Sequence, residues 1–175
     1  IAATALDAVP AMCDHALRRA AQDGVALTAV CADMIDFHLS QRVDLAVLLM
    51  DSASYLLDND AVLRHLRCVA AHLADAGLYV LEMSHPRDAF GVGASVSARW
   101  TSEADGLRVD MHWGAEGDPF DPVTQVDEVT VTMDWSGPDG SGQLVERARQ
   151  RRFTANEFDA LVRASGVFDI VEWLG

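Results

Sequence analysis

Positive charge is scarce in this chain. Thirteen Lys and Arg stand against 27 Asp and Glu, for a net charge of −14. Nucleic acids are bound through clustered cations, so this balance argues against a nucleic-acid partner. The one basic cluster is Arg147, Arg149, Arg151 and Arg152, interleaved with Ala148 and Gln150. It reads first as the solvent face of a strand and second as a carboxylate or phosphate contact. Cysteine is also sparse: Cys13, Cys31 and Cys68 are an odd number without metal-ligand spacing. They read as small buried apolar residues in a reducing compartment. No apolar run approaches the roughly 18 residues of a membrane helix. The opening lacks the cationic start of a signal peptide and carries Asp7. A soluble, cytoplasmic protein without a membrane partner is expected. There is no G-x-S-x-G, no P-loop, no H-x-x-x-H and no His/Cys cluster, so no metal site is expected either.

What the chain does contain is apolar substance and alternation. Half of its 175 residues are hydrophobic, enough for one domain with a sizeable core. Apolar runs at 1–6, 25–31, 43–50 and 78–83 predict strands, and the almost wholly apolar run at 43–50 predicts one covered on both faces. Helical spacing links them. Pro10 opens one helix, with Met12, Ala16 and Ala20 on a stripe that ends at Gly24. A second helix is predicted over 60–74, with Val62, Leu63, Leu66, Val69, Ala70 and Leu73 on one face and Ala76-Gly77 as its C-cap and turn. This order predicts an α/β fold with a doubly wound, mostly parallel, Rossmann-like sheet. In such sheets ligands bind beyond the carboxyl ends of the strands. Those ends carry Asp7, Asp33, Asp51 and the turn Ser84-His85-Pro86.

The later sequence changes character. Short β-prone runs at 95–100, 107–113 and 126–135 alternate with Gly, Asp and Pro turns, which predicts antiparallel hairpins. Pro138-Asp139-Gly140-Ser141-Gly142 predicts a turn between strands at 126–135 and 143–153. Thr154 with Glu157 predicts a capping box, with a helix from there to about 165 and a final strand over 167–173.

Five segments, in this order, resemble class I S-adenosylmethionine-dependent methyltransferases. Leu6-Asp7-Ala8-Val9-Pro10-Ala11-Met12 resembles the family's segment after the second strand, with Ala5 and Val9 replacing the usual Gly and Ser. Cys31-Ala32-Asp33-Met34-Ile35-Asp36-Phe37 resembles the segment after the third. Asp44-Leu45-Ala46-Val47 and Met50-Asp51-Ser52-Ala53-Ser54-Tyr55-Leu56 resemble the fourth strand and its loop. Leu73-Ala74-Asp75-Ala76-Gly77-Leu78-Tyr79-Val80-Leu81 resembles the approach to the fifth. Arg152-Phe153-Thr154 with Glu157 to Gly166 resembles the helix between the last two strands. The length and place of the β-rich segment, residues 90–143, are similar to those of sugar N,N-dimethyltransferases, where an inserted sheet lies over the cofactor.

The resemblance implies S-adenosylmethionine as cofactor and direct displacement of its methyl group by a nucleophilic N or O of a small molecule. It implies that Asp7 accepts from the ribose hydroxyls and Asp33 from the adenine amino group, with Ala8, Met12, Ala32, Met34, Leu49 and Met50 also lining the cofactor. Asp51 either faces the cofactor or caps the helix after it. Tyr55, His85 and His112 are the acceptor-site candidates, and His85 and Tyr55 the only candidates for a catalytic role. His85 reads alternatively as a turn residue, and His112 as a strand residue pointing to water. His15, His38, His65 and His72 are expected on surfaces, uninvolved. The Asn-Pro-Pro-Tyr loop of nucleic-acid amino methyltransferases is replaced by Asp51-Ser52, which fits a small-molecule acceptor. The family's first strand and glycine-rich turn do not precede Ile1, and the chain ends early at Trp173-Leu174-Gly175. Residues 1–175 are therefore expected to be a fragment of a methyltransferase domain. A homodimer is left open. A non-catalytic methyltransferase-like binding protein or partner subunit, and a nucleotide-binding oxidoreductase, are the competing readings.

Overall fold

The computed structural model describes residues 2–85, 87, 90 and 97–174. Parts of the expectations above, at Ile1, Pro86, residues 95–96 and Gly175, lie outside the described residues. The chain forms two compact units. The first comprises Ile1–Val47, Asn59–Val80 and Asp159–Glu172, the second Leu48–Asp58, Leu81–Phe158 and Trp173–Gly175. Among the described residues no helix is long and apolar enough to cross a membrane.

The first unit carries the expected βαβ order. Strand β1 (Ala3–Asp7) leads into helix α1 (Pro10–Gln22), which has Pro at its start, where a missing N–H is harmless. The chain returns as β2 (Leu27–Cys31), parallel to β1, with Ala3 opposite Leu27 and Asp7 opposite Cys31. Strand β3 (Val43–Leu48) pairs with β4 (Leu73–Leu81), and helix α2 (Asn59–His72) lies between them in sequence. Among the described residues no ladder joins the β1–β2 pair to the β3–β4 pair. The core of this unit is the α2 stripe of Val62, Leu66 and Val69, with Leu161 and Val162 of helix α3 (Ala155–Ser165). Val62 and Leu66 are at most 1% exposed, and each such side chain stabilises the fold by about 1.5–3 kcal/mol.

The structure departs from two local expectations. The turn read at Ala76-Gly77 falls inside β4. Ala76 is left-handed (φ 61°), and a Cβ on Gly77 would lie 2.9 Å from the Ala74 carbonyl oxygen and 3.2 Å from that of Asp44. The close approach of backbone, not a helix cap, is what requires glycine there. The final strand read over 167–173 does not form. A run of β-prone residues becomes a strand only where a neighbour takes its ladder, and none pairs with it among the described residues.

The second unit is built on an antiparallel sheet of β5 (Ala98–Ala104), β6 (Leu107–Trp113), β7 (Phe120–Asp121), β8 (Val126–Gly137) and β9 (Gly140–Arg151). Strand β8 is central: β6 and β7 share one of its edges and β9 takes the other. The hairpin between β8 and β9 closes over Pro138-Asp139, with Gly137 opposite Gly140. The sheet thus extends to Arg151, taking in the strand expected over 143–153. Its core holds Val126, Val129, Phe153 and Phe158, with the two phenyl rings edge to face at 5.7 Å. The capping box is present. Glu157 N–H donates to Thr154 Oγ1 at 3.2 Å, and Thr154 N–H donates to Glu157 Oε2 at 3.4 Å.

The basic cluster divides in two. Arg147 and Arg149 lie on the exposed part of β9, as read. Arg151 is buried and pairs with Glu157 at 2.5 Å, and Arg152 grips both oxygens of buried Asp127. Arg151 joins the end of β9 to the start of α3, Arg152 holds the chain after β9 to β8, and neither is on a solvent face.

Candidate cofactor and acceptor sites

In the first unit, the ends of β1 and β2 place two carboxylates on one sheet edge. Asp7 is opposite Cys31 in the ladder, Ala32 N–H donates to the Asp7 carbonyl at 3.0 Å, and Asp33 follows directly. Each carboxylate is used in the same way. Asp7 Oδ1 accepts from Val9 N–H at 2.8 Å, and Asp33 Oδ1 accepts from Ile35 N–H at 3.0 Å. These are Asx turns, which lock the side chain against the chain two residues on. Val9 is the N-cap of α1, so Asp7 fixes the chain just ahead of that helix without capping a helical N–H. In both residues Oδ2 has no protein donor among the described residues. A carboxylate accepts up to about four hydrogen bonds, so each keeps capacity for a ligand donor. Ala8 and Met12 are exposed beside Asp7, and Met34 is half-buried beside Asp33.

A buried histidine, not expected from the sequence, supports this edge. His65 is 3% exposed, not on a surface. Its Nδ1 lies 2.9 Å from the Met34 carbonyl oxygen and its Nε2 lies 2.6 Å from the Tyr79 hydroxyl. Burial holds the imidazole below its ordinary pKa and pushes the Tyr79 phenol up. The signal was available in the sequence. The buried face of α2 runs Val62, His65, Leu66, Val69, a 3-4-7 pattern that includes position 65.

In the second unit, the loop after β3 carries Leu49, Met50, Asp51 and a 3-10 turn, Ser52–Tyr55. Met50 (φ 55°) and Asp51 (φ 59°) are consecutive left-handed residues, a conformation that is costly away from glycine. Three side-chain contacts hold them. Met50 N–H donates to Glu82 Oε2 at 2.8 Å, and Ser84 donates to Asp51 twice, from its N–H to Oδ1 and from its hydroxyl to Oδ2, both at 2.8 Å. Asp51 caps no helix with its side chain. It clamps the loop after β3 to the segment after β4. Leu49 and Met50 are exposed, Met50 to 87%.

The three acceptor candidates separate. Tyr55 is exposed at the end of the 3-10 turn, and partial burial with the Asp51 charge raises its phenol pKa. It is a hydrogen-bond donor at neutral pH rather than a base. His85 follows Ser84 directly, but its Nδ1 accepts from Arg87 N–H at 3.1 Å. That is the turn role, and it leaves Nε2 as the protonated nitrogen of the neutral ring. His112 is not brought to Tyr55. Trp113 Nε1–H donates to Gln150 at 3.3 Å, and Gln150 donates to Ser54 Oγ at 2.9 Å, so Trp113 faces the 3-10 turn. Successive strand residues point to opposite faces, so His112 lies on the other side of the sheet, between Arg99 and Thr132.

No protein-family model and no curated protein matches the chain. Solved structures do. An S-adenosylmethionine-dependent methyltransferase from Clostridium acetobutylicum is 15% identical, with a TM-score of 0.71, over 93% of this chain and 62% of that one. The sugar N-methyltransferase KedS8 from a Streptoalloteichus species is 22% identical, with a TM-score of 0.67, over 93% and 62%. CalS10, an amino pentose methyltransferase from Micromonospora echinaspora solved with S-adenosylmethionine bound, is 23% identical, with a TM-score of 0.59, over 93% and 64%. The fold of this chain is the one these S-adenosylmethionine-dependent methyltransferases share. The chain spans less than two thirds of the length of each.

Proposed function

We propose that this chain is part of an S-adenosylmethionine-dependent methyltransferase that methylates a nitrogen or oxygen of a small molecule. The observation that carries the reading is the carboxylate pair on one sheet edge, Asp7 and Asp33, each pinned through Oδ1 with Oδ2 left to a ligand. Two pre-oriented acceptors at adjacent strand ends suit a nucleoside, whose ribose hydroxyls and exocyclic amine are donors. Asp7 takes the ribose hydroxyls, Asp33 the adenine amine, and Met34 covers the base. Ala8, Met12 and Ala32 flank these two carboxylates on the same unit. The bound cofactor supplies an activated methyl group on a sulfonium. The protein's part is to align the acceptor and exclude water.

For the acceptor, the strained loop Met50-Asp51 is held rigid by Glu82 and Ser84, and it presents Tyr55 as a hydrogen-bond donor. The Ser54–Gln150–Trp113 chain ties that loop to the antiparallel sheet, which supports an acceptor-site role for the inserted segment. A neutral amine attacks without a general base. The sugar and amino pentose methyltransferases among the neighbours support an amino sugar as the acceptor class. The test is transfer of label from methyl-tritiated S-adenosylmethionine to a panel of amino sugars and their hydroxyl counterparts by the full-length protein. Label in the amino sugars is expected. Absence of transfer to every acceptor, by a folded protein, would count against catalysis.

A further inference from the structure

We infer that His65 and Tyr79, buried beneath the sheet edge, are positioning residues for adenine recognition, acting through the Met34–Ile35 peptide on the Asp33 carboxylate. The inference rests on the reading that Asp33 receives the adenine amine.

The directions of the hydrogen bonds follow from chemistry. A carbonyl oxygen can only accept, so the His65 nitrogen 2.9 Å from the Met34 oxygen, Nδ1, carries the proton. In the neutral ring Nε2 must then accept, so the Tyr79 hydroxyl 2.6 Å away donates to it. The charged ring would turn Nε2 into a second donor facing that hydroxyl, and burial disfavours it. One peptide unit is thus held at both polar ends. Its C=O, from Met34, is held by His65, and its N–H, from Ile35, is held by Asp33 Oδ1 at 3.0 Å. Tyr79, His65, the peptide and Asp33 form a chain in which each donor polarises the next. The Tyr79 ring is itself fixed between His65 and Phe168, each at a ring-centroid distance of 5.7 Å. Tilting the peptide would turn the Ile35 N–H and swing the Asp33 carboxylate that it anchors. A buried imidazole with both nitrogens committed is a stiff support for an exposed Asp33, which is also bridged to Asp36.

The experiment uses two ligands on the full-length protein by calorimetry. They are S-adenosylhomocysteine and its hypoxanthine counterpart, S-inosylhomocysteine, which has a carbonyl in place of the exocyclic amine. The variants are His65→Leu, Tyr79→Phe and His65→Asn, whose amide keeps a donor near Nδ1. For His65→Leu a loss of about tenfold is expected for S-adenosylhomocysteine, with little change for S-inosylhomocysteine. Tyr79→Phe is expected to show a smaller loss with the same ligand dependence, and His65→Asn to recover much of the affinity. If His65→Leu does not fold, the same comparison is read from Tyr79→Phe. Equal losses on both ligands, or none on either, would overturn the positioning role, since a merely structural support does not distinguish the bases. A wild-type protein that is folded yet binds neither ligand would instead overturn the functional reading, and with it this inference.

Discussion

Asp51 and Ser84 are joined by two hydrogen bonds, N–H to Oδ1 and hydroxyl to Oδ2, both 2.8 Å long. They hold a loop in which Met50 and Asp51 are both left-handed. Strain of this kind costs about 1–3 kcal/mol per residue and persists only where neighbours over-determine it. Ser84→Ala keeps the backbone bond and is expected to lose about 0.5–1.5 kcal/mol in urea denaturation. Asp51→Ala removes both bonds and is expected to lose more. Equal stability of the two variants and the wild type would show that the clamp does not hold the loop.

Gly142 is opposite Trp135 in the β8–β9 ladder, with the indole close against it. A Cβ on Gly142 would come within 2.8 Å of Trp135 Cζ2 and Nε1. Gly142→Ala is therefore expected to destabilise by about 1–3 kcal/mol, the usual range for overpacking. Trp135 must move, so the intrinsic tryptophan emission is expected to shift along with the melting temperature. An unchanged spectrum with unchanged stability would contradict the packing described.

Glu157 does three jobs. It pairs with buried Arg151 at 2.5 Å, accepts from Gln125 at 3.0 Å and closes the capping box with Thr154. Thr154→Ala touches only the box and is expected to lose about 1 kcal/mol. Glu157→Ala also removes the carboxylate facing a guanidinium that is 7% exposed, and about 3–5 kcal/mol is expected. Chemical denaturation of the two variants side by side checks the order.

The buried imidazole of His65 makes stability depend on pH. Its folded pKa lies below the ordinary value near 6.5, so the unfolded chain binds the proton more readily. The contribution is complete above about pH 6.5 and is lost as pH falls below it toward the folded pKa, by no more than about 1.4 kcal/mol per pH unit. His65→Asn is expected to flatten the stability profile between about pH 6.5 and 5 relative to wild type. Parallel profiles would mean that His65 is not the group responsible.

Much of this was legible in the sequence, and the failures have physical causes. The βαβ order, the hairpins and the Thr154–Glu157 box followed from periodicity and capping chemistry, which are local. The two strand-end acids followed from their place and from the family resemblance. His65 was missed because histidine is polar by type, although its position lies on the buried stripe of α2. The clamp of Asp51 to Ser84 joins residues 33 apart in sequence, and no local pattern encodes it. Arg151 and Arg152 looked like a solvent face because alternation alone does not say which partner a charge will meet. The run at 167–173 has strand composition, yet a strand is decided by its neighbour.

The central claim is that the β1–β2 edge binds a nucleoside through Asp7. The most direct measurement is calorimetric titration of the full-length protein with S-adenosylhomocysteine, wild type against Asp7→Ala. One-to-one binding is expected, weakened by about 1–3 kcal/mol in the variant, the range for a hydrogen-bonded charged group. A folded wild type that gives no binding heat, or an Asp7→Ala variant that binds equally well, would contradict the claim.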